Sequence, residues 1–421
     1  GRQNSVYAYS VAPFVFDVMH APVVPKSTDD VSITARVESM GGEQASVELY
    51  FRMDGDLEFS MRPMRDTGEG VFKADISAMP DATVVEFYVQ TRTQDGLQRR
   101  WPKPTPEGQI ANALYQVEDY LRQSKQPVAR VITTEAERSQ LEAIGRLPWN
   151  ASSDAQMNAT FIIEENGTFD LRYLTGFRIR GTTSRVLNPK NRRVNFTSDN
   201  TWRGRASIIF NAVNVPSQVL GSALFRLGGV PAPACRPVVF LENNKNHANA
   251  GFPQFGSYAQ LEVLDDRFTG RQFDRDSGGN LYRAFGFGSL DYLGPDPLEY
   301  QKFGFYTKST NQEEDDWSDL IRLTRLLNES VDTNYESVVE SLVHVESWLR
   351  FFAVDTLLAN METSFANGGV GDYAFYIGDK DERATLLPYD LDSILGMSVS
   401  GVDTSIHRAT ANPVPSRFLK S

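Results

Sequence analysis

Late in the chain, acidic and amide side chains stand in an order that phosphoryl transfer could use. Glu362 is followed, after four intervening residues, by Asn367, and Asp390-Leu-Asp392 comes after two strand-like segments, 374–377 and 384–387. Moving a phosphoryl group needs a carboxylate to orient or deprotonate the attacking hydroxyl. It also needs oxygen ligands for Mg²⁺ on the phosphates. An acid, four residues, an amide and a later acid after a strand is one spacing that meets both needs. The same residues admit plainer readings. Acid-x4-Asn pairs arise by chance, and Asp-Leu-Asp also suits a Ca²⁺ loop or a solvated turn.

A second group lies earlier. From Arg172 to Arg205 there are nine basic residues (Arg172, Arg178, Arg180, Arg185, Lys190, Arg192, Arg193, Arg203 and Arg205) against one acid, Asp199. Concentrated beside the turn Gly181-Thr-Thr-Ser184, they suit a bound polyanion, most simply a nucleotide's phosphates. The alternative is a basic face that pairs with acids elsewhere. Gly368-Gly-Val-Gly371 lacks the Gly-Lys-Ser/Thr ending of a phosphate loop and reads as a turn.

The whole chain bounds these readings. Its 421 residues carry 42 Lys+Arg and 54 Asp+Glu, a net charge of −12 with pI near 5.0. That balance argues against non-specific nucleic-acid binding. A hydrophobic share of 41% with 23% charged residues is ordinary globular composition, long enough for two or three domains. No apolar run approaches the roughly 18 residues of a membrane span, and no basic-then-apolar leader opens the sequence. A single cysteine, Cys235, excludes a disulfide scaffold and reads as a small buried hydrophobe. The four histidines, at 20, 247, 344 and 407, lack metal-ligand spacing. The acids 313–316 read as a solvated loop before a helix that begins near Trp317.

Strand-like alternation at 31–37, 46–51, 71–76 and 84–89, separated by Gly-Gly and Asp-Gly turns, predicts an all-β sandwich of immunoglobulin or fibronectin III kind over residues 1–104. The prolines at 102, 104 and 106 predict a linker over 105–126. An α+β domain is expected over 127–421. It should contain a helix capped by Thr133 or Thr134, strands at 159–163 and 175–179 joined across Glu165-Asn-Gly167, and one long helix from about Tyr335 into Asn360.

Three stretches of this second region resemble the spore-coat-protein-H (CotH) kinase family. Phe177-Arg-Ile-Arg-Gly-Thr-Thr-Ser-Arg185 with Lys190 and Arg193-Val-Asn-Phe196 is similar to its opening motif. Gly256-Ser-Tyr-Ala-Gln-Leu-Glu262, Asp266, Phe268 and Gly279-Asn-Leu-Tyr282 resemble its central motif. Leu358-Ala-Asn-Met-Glu362, Asp372-Tyr-Ala-Phe-Tyr376 and Pro388-Tyr-Asp-Leu-Asp392 resemble its final one. The likeness runs over roughly residues 150–421. A preceding immunoglobulin-like module resembles the arrangement in secreted bacterial members.

The resemblance implies an atypical protein-kinase-like fold that uses ATP and Mg²⁺ or Mn²⁺ to phosphorylate Ser or Thr on coat or envelope proteins. Arg180, Lys190 and Glu262 would serve the nucleotide, with Lys190 on the phosphates and Glu262 positioning it. Glu362 would be the catalytic carboxylate, and Asn367, Asp390 and Asp392 would hold the metal. Two departures stand out. Glu362 occupies the place of an Asp, and the family's paired lysines are here Lys190-Asn191. They motivate the runner-up expectation, a non-catalytic structural or adhesive envelope protein. The family segment normally continues past Ser421. The immunoglobulin-like companion implies an extracellular or cell-envelope location.

Overall fold

The computed structural model describes residues 11–39, 45–105, 108–148, 151, 153–286, 288–362, 371–397, 403 and 413–421. The chain divides into two compact units. Unit 1 comprises 1–202 with 238–247, and unit 2 comprises 203–237 with 248–421. The architecture is mixed α and β, with a β-rich N-terminal part. Among the described residues no helix is long and apolar enough to cross a membrane.

In unit 1, β1 (Phe14–Ala21), β2 (Val31–Glu38), β6 (Val71–Ile76) and β5 (Arg65–Asp66) form one sheet in the order β1-β2-β6-β5. A second sheet runs β4-β3-β7-β8, from β3 (Ala45–Met53), β4 (Ser60–Pro63), β7 (Val84–Thr93) and β8 (Gln98–Trp101). The expected strands are present, and their alternation is the cause of the shared core. Val31, Ile33 and Ala35 of β2 face one cluster with Val47, Leu49 and Phe51 of β3 and Val85, Phe87 and Val89 of β7.

The unit does not end at 104. Within the segment read as a linker, β9 (Ala113–Gln116) is fully buried and pairs antiparallel with β7. Four residues are too few to give a periodic signal. β10 (Val128–Ile132), β11 (Met157–Glu165) and β12 (Thr168–Ile179) follow, and Ile132, Ile162, Leu171 and Tyr173 join the same core. The β11–β12 hairpin turns on Asn166-Gly167 with φ of 53° and 75°, the left-handed pair that a two-residue hairpin loop requires. α1 (Glu135–Gly145) begins at Thr134, whose side chain forms a full capping box with Glu137. β13 (Arg192–Asn195) pairs with β12, and β15 (Cys235–Glu242) runs parallel to β10.

Unit 2 holds β14 (Ser207–Asn211) paired with β16 (Tyr258–Glu262), and a four-stranded antiparallel sheet ordered β18-β17-β19-β20. Its strands are β17 (Asn280–Ala284), β18 (Tyr306–Lys308), β19 (Tyr373–Ile377) and β20 (Ala384–Pro388). The helices are α2 (Val215–Leu227), α3 (Asp266–Gln272), α4 (Pro297–Gln301), α5 (Ser318–Glu329), α6 (Tyr335–Leu342), α7 (Val345–Leu357) and α8 (Pro413–Phe418). Trp348, Phe351, Phe225 and Phe375 lie in its largest apolar cluster.

One helix expectation is corrected. The apolar periodicity from Tyr335 to Asn360 is carried by two helices, α6 and α7, because Val343 is extended (φ −138°, ψ 154°). Val343 forms a parallel bridge with Ala384, and the Ala384 carbonyl accepts from both the His344 N–H (3.1 Å) and the Trp348 indole (2.9 Å). The sheet edge thus takes backbone groups that a continuous helix would have satisfied itself. No Gly or Pro marks the break.

Candidate active site

β19 and β20 bring the acids together. They are antiparallel with Tyr373 opposite Pro388, so the residue before β19, Asp372, lies beside the chain leaving β20 toward Asp390. Both strands are buried along their whole length, as their apolar sequences Tyr-Ala-Phe-Tyr-Ile and Ala-Thr-Leu-Leu-Pro require. Asp390 takes a left-handed φ of 49°, which turns the chain out of the sheet. The stretch after α7 is laced to this turn. The Leu395 N–H donates to the Leu358 carbonyl (2.8 Å) and the Met361 N–H to the Ser393 carbonyl (3.3 Å). That backbone pairing sets Glu362 against Ser393.

Each carboxylate has a distinct environment. The buried Ser393 hydroxyl donates to Glu362 Oε1, and the Asn360 side-chain carbonyl accepts from the Glu362 N–H at 3.1 Å. Asn360 is itself held by the buried Asp355 carboxylate, 2.9 Å from its amide nitrogen. Burial and the nearby Asp390 charge raise the Glu362 pKa above the usual carboxylate range. Asp372 is 7% exposed, and burial plus the charges of Asp390, Glu362 and Asp392 push its pKa up to about 9. A hydrogen bond joins its carboxyl to that of Glu362. Like-charged acids packed this closely cannot all stay ionised without a cation. Asp390 Oδ1 accepts from Gln218 (2.9 Å), and the Asp392 carbonyl accepts from Asn214 (2.8 Å).

The donor set fits a divalent hard cation. Among the described residues no three His, Cys, Asp or Glu side chains already converge on one point. The carboxylate oxygens are hard donors of the kind such cations take. Asn367 lies outside the described residues, as does most of the Gly368–Gly371 turn.

The nucleotide candidates fall in different units. Glu262, 7% exposed in unit 2, accepts from the Ala234 N–H (3.1 Å) and is paired with Arg271 and, at 3.5 Å, with Arg205. In unit 1, the Lys190 ammonium donates to the Arg185 carbonyl, which ties down the 181–190 turn, and burial lowers its pKa. Arg180 follows β12, and its N–H donates to the Asn191 carbonyl at 3.1 Å. Much of the basic segment is spent on ion pairs. Arg178 and Arg185 share Asp154, Arg192 grips Glu242 through two hydrogen bonds of 2.7 and 3.0 Å, and Arg172 meets Asp170.

Sequence reasoning missed Asp372, Ser393, Asn360, Asn214 and Gln218 as site residues. Asp372 and Asn360 lay inside motifs already singled out, and Ser393 adjoins Asp392. Nothing local marks Asn214 or Gln218, which lie 178 and 172 positions from their partners. The other reactive side chains stand apart from this chemistry. Cys235 is half-buried and its thiol is pushed up to about 12 by burial, while His344 sits at the start of α7 beside Asp381 (3.5 Å).

No curated protein matches the chain. Among solved structures, the cycloalternan-forming enzyme from Listeria monocytogenes in complex with pentasaccharide substrate is similar at 11% identity with a TM-score of 0.18, over 46% of this chain and 17% of that one. A likeness of that extent carries no argument. The family model described as CotH kinase protein matches residues 177–419, more than half of the chain, and that span holds the acidic cluster and all three motifs. The chain belongs to the CotH kinase family, a kinase-like family whose members depend in general on a nucleotide and a metal.

Proposed function

We propose that the protein is an ATP- and Mg²⁺-dependent protein kinase, with Mn²⁺ as a substitute. It transfers the γ-phosphoryl group to Ser or Thr hydroxyls of coat or envelope proteins outside the cytoplasm. The β-rich N-terminal part serves as an immunoglobulin- or fibronectin-III-like module beside the kinase-like region. The single observation that carries the reading is the gathering of Glu362, Asp372, Asp390 and Asp392 within the family-matched span. Buried carboxylates at this density stabilise nothing by themselves and gain from a bound cation.

In this reading Glu362 accepts the proton of the substrate hydroxyl. Its raised pKa makes it a stronger base than a solvated carboxylate, and Ser393 fixes the orientation of its carboxylate. Asp390 and Asp392 hold the metal, with Asn367 as the further ligand that the family motif supplies. Bound Mg²⁺ contributes neutralisation of the charge on the phosphate oxygens. Arg180, Lys190 and Glu262 are assigned to the nucleotide on the family motifs alone, Lys190 for the phosphates and Glu262 as its positioning glutamate.

Calorimetric titration of ATP, with and without Mg²⁺ or Mn²⁺, into the wild type and Asp390→Asn tests the reading. Metal-dependent binding that disappears in the variant is expected. Equal binding by the variant would remove Asp390 from the metal site. Silence from a folded wild type would favour a non-catalytic envelope protein.

A further inference from the structure

We infer that Gln218 is a positioning residue that sets the Asp390 carboxylate for the metal, with α2 as its mount. The inference rests on the reading of Asp390 as a metal ligand. Gln218 is 1% exposed, and its amide nitrogen donates to Asp390 Oδ1 at 2.9 Å. It does not act alone. Gln218 and Gly221, three apart, share one face of α2, and Asn214 stands at its N-cap. All three meet the 390–394 segment. Asn214 donates from its side chain to the Asp392 carbonyl at 2.8 Å. At Gly221 an added Cβ would come within 2.9 Å of the Ile394 Cδ1 and 3.0 Å of the Leu391 Cβ, so the missing side chain lets the helix lie directly on the segment.

Two further features favour positioning over simple burial of an amide. Asn is a preferred helix N-cap, yet Asn214 makes no capping hydrogen bond: its backbone is left-handed (φ 42°), and its side-chain amide donates to the Asp392 carbonyl. Asp390, with its left-handed φ of 49°, lies outside the strand geometry that would aim its side chain. The amide supplies that aim. It does so without charge, where a Lys or Arg would orient the carboxylate but cancel the attraction a cation needs. Asp390 would then present its carboxylate to the metal in a fixed orientation. Outer partners of this kind fix a ligand's geometry, and their loss costs about 10- to 100-fold in metal affinity.

The test uses Mn²⁺ alone, titrated by calorimetry into the full chain, with circular dichroism checking the fold of each variant. Gln218→Met keeps the length and shape of the side chain, and Gln218→Leu repeats the test with a different apolar replacement. Both are expected to weaken Mn²⁺ binding by about 10- to 100-fold. Asp390→Asn alone is expected to abolish Mn²⁺ binding, so the Gln218 variants carry the test. Wild-type affinity in folded Gln218→Met and Gln218→Leu would overturn the inference and leave the metal site standing. A wild type that ignores Mn²⁺, or an Asp390→Asn variant that binds it normally, would overturn the metal-site reading and this inference together.

Discussion

Glu362 reaches one methylene, about 1.5 Å, further from its backbone than an aspartate would. Its surroundings are built around that reach, since the Ser393 hydroxyl meets Oε1 and Asn360 holds the backbone N–H. Glu362→Gln keeps the shape and removes the proposed base. The expected result is a fall in transfer of about 100-fold or more with ATP binding little changed, measured as kcat against KM. A variant as active as wild type would take Glu362 out of the chemistry. Asp372 gives a prediction of opposite sign. Its pKa is raised from 3.8 to about 9, so its contribution to stability is fully present below its unfolded value and is lost as pH rises toward 9. Asp372→Asn should therefore stabilise the metal-free protein at pH 8 by about 1–3 kcal/mol and flatten the pH dependence. Urea melts in EDTA at pH 5 and 8 measure both effects. A destabilised variant at pH 8 would show that the acid is not held against its neighbours' charge.

At the scale of elements, the end of one strand and the start of its neighbour gather the site, and helices lock it. The break between α6 and α7 lets the Ala384 carbonyl accept from His344 and Trp348, which docks α7 onto β20. Trp348→Phe removes the indole donor together with part of a fully buried ring system. It should cost about 2–4 kcal/mol in a chemical melt, the hydrogen bond contributing about 1 and the cavity the rest, while the His344 N–H still serves the carbonyl. A cost below about 1 kcal/mol would mean that this side chain does not hold the helix in place. Gly221→Ala should be costlier than its chemistry suggests, about 1–3 kcal/mol, since the added methyl must push Leu391 and Ile394 aside. The same helix face carries Gln218, so unfolding measurements on Gly221→Ala also report how tightly α2 is seated.

At the scale of the whole molecule, each unit has its own apolar core. The core of unit 1 includes a titratable group. His20 is 1% exposed, its Nε2–H donates to the Val23 carbonyl (2.9 Å), its Nδ1 accepts from Tyr173, and its ring stacks on Tyr115 at 5.2 Å. Burial lowers its pKa from 6.5 to about 4. Between those values the unfolded chain binds the proton and the folded one does not, so unit 1 loses stability as pH falls from 6.5 to 4. The loss approaches about 3 kcal/mol. Amide exchange in β2 and β7 across that range should show the decline, and His20→Phe should abolish the slope. An unchanged slope in that variant would assign the acid sensitivity to other groups. The sequence alone determined much at short range. Period-2 alternation marked β2, β3, β6 and β7 of the two N-terminal sheets, Asn166-Gly167 marked the hairpin, Thr133 or Thr134 with the acids that follow marked the start of α1, and the ordered motifs marked the family, because each of these signals is local to a few residues. It named Glu362, Asp390 and Asp392 but treated them as a spacing. Only the tertiary structure decided that Asp372 shares their charge, that Gln218 and Asn214 hold them from 172 and 178 positions away, that β9 and β10–β12 complete the core of unit 1, and that Val343 divides a periodic helix. Those outcomes rest on hydrogen bonds and burial between segments distant in the chain, and no local pattern encodes which distant carbonyl or carboxylate a side chain will meet.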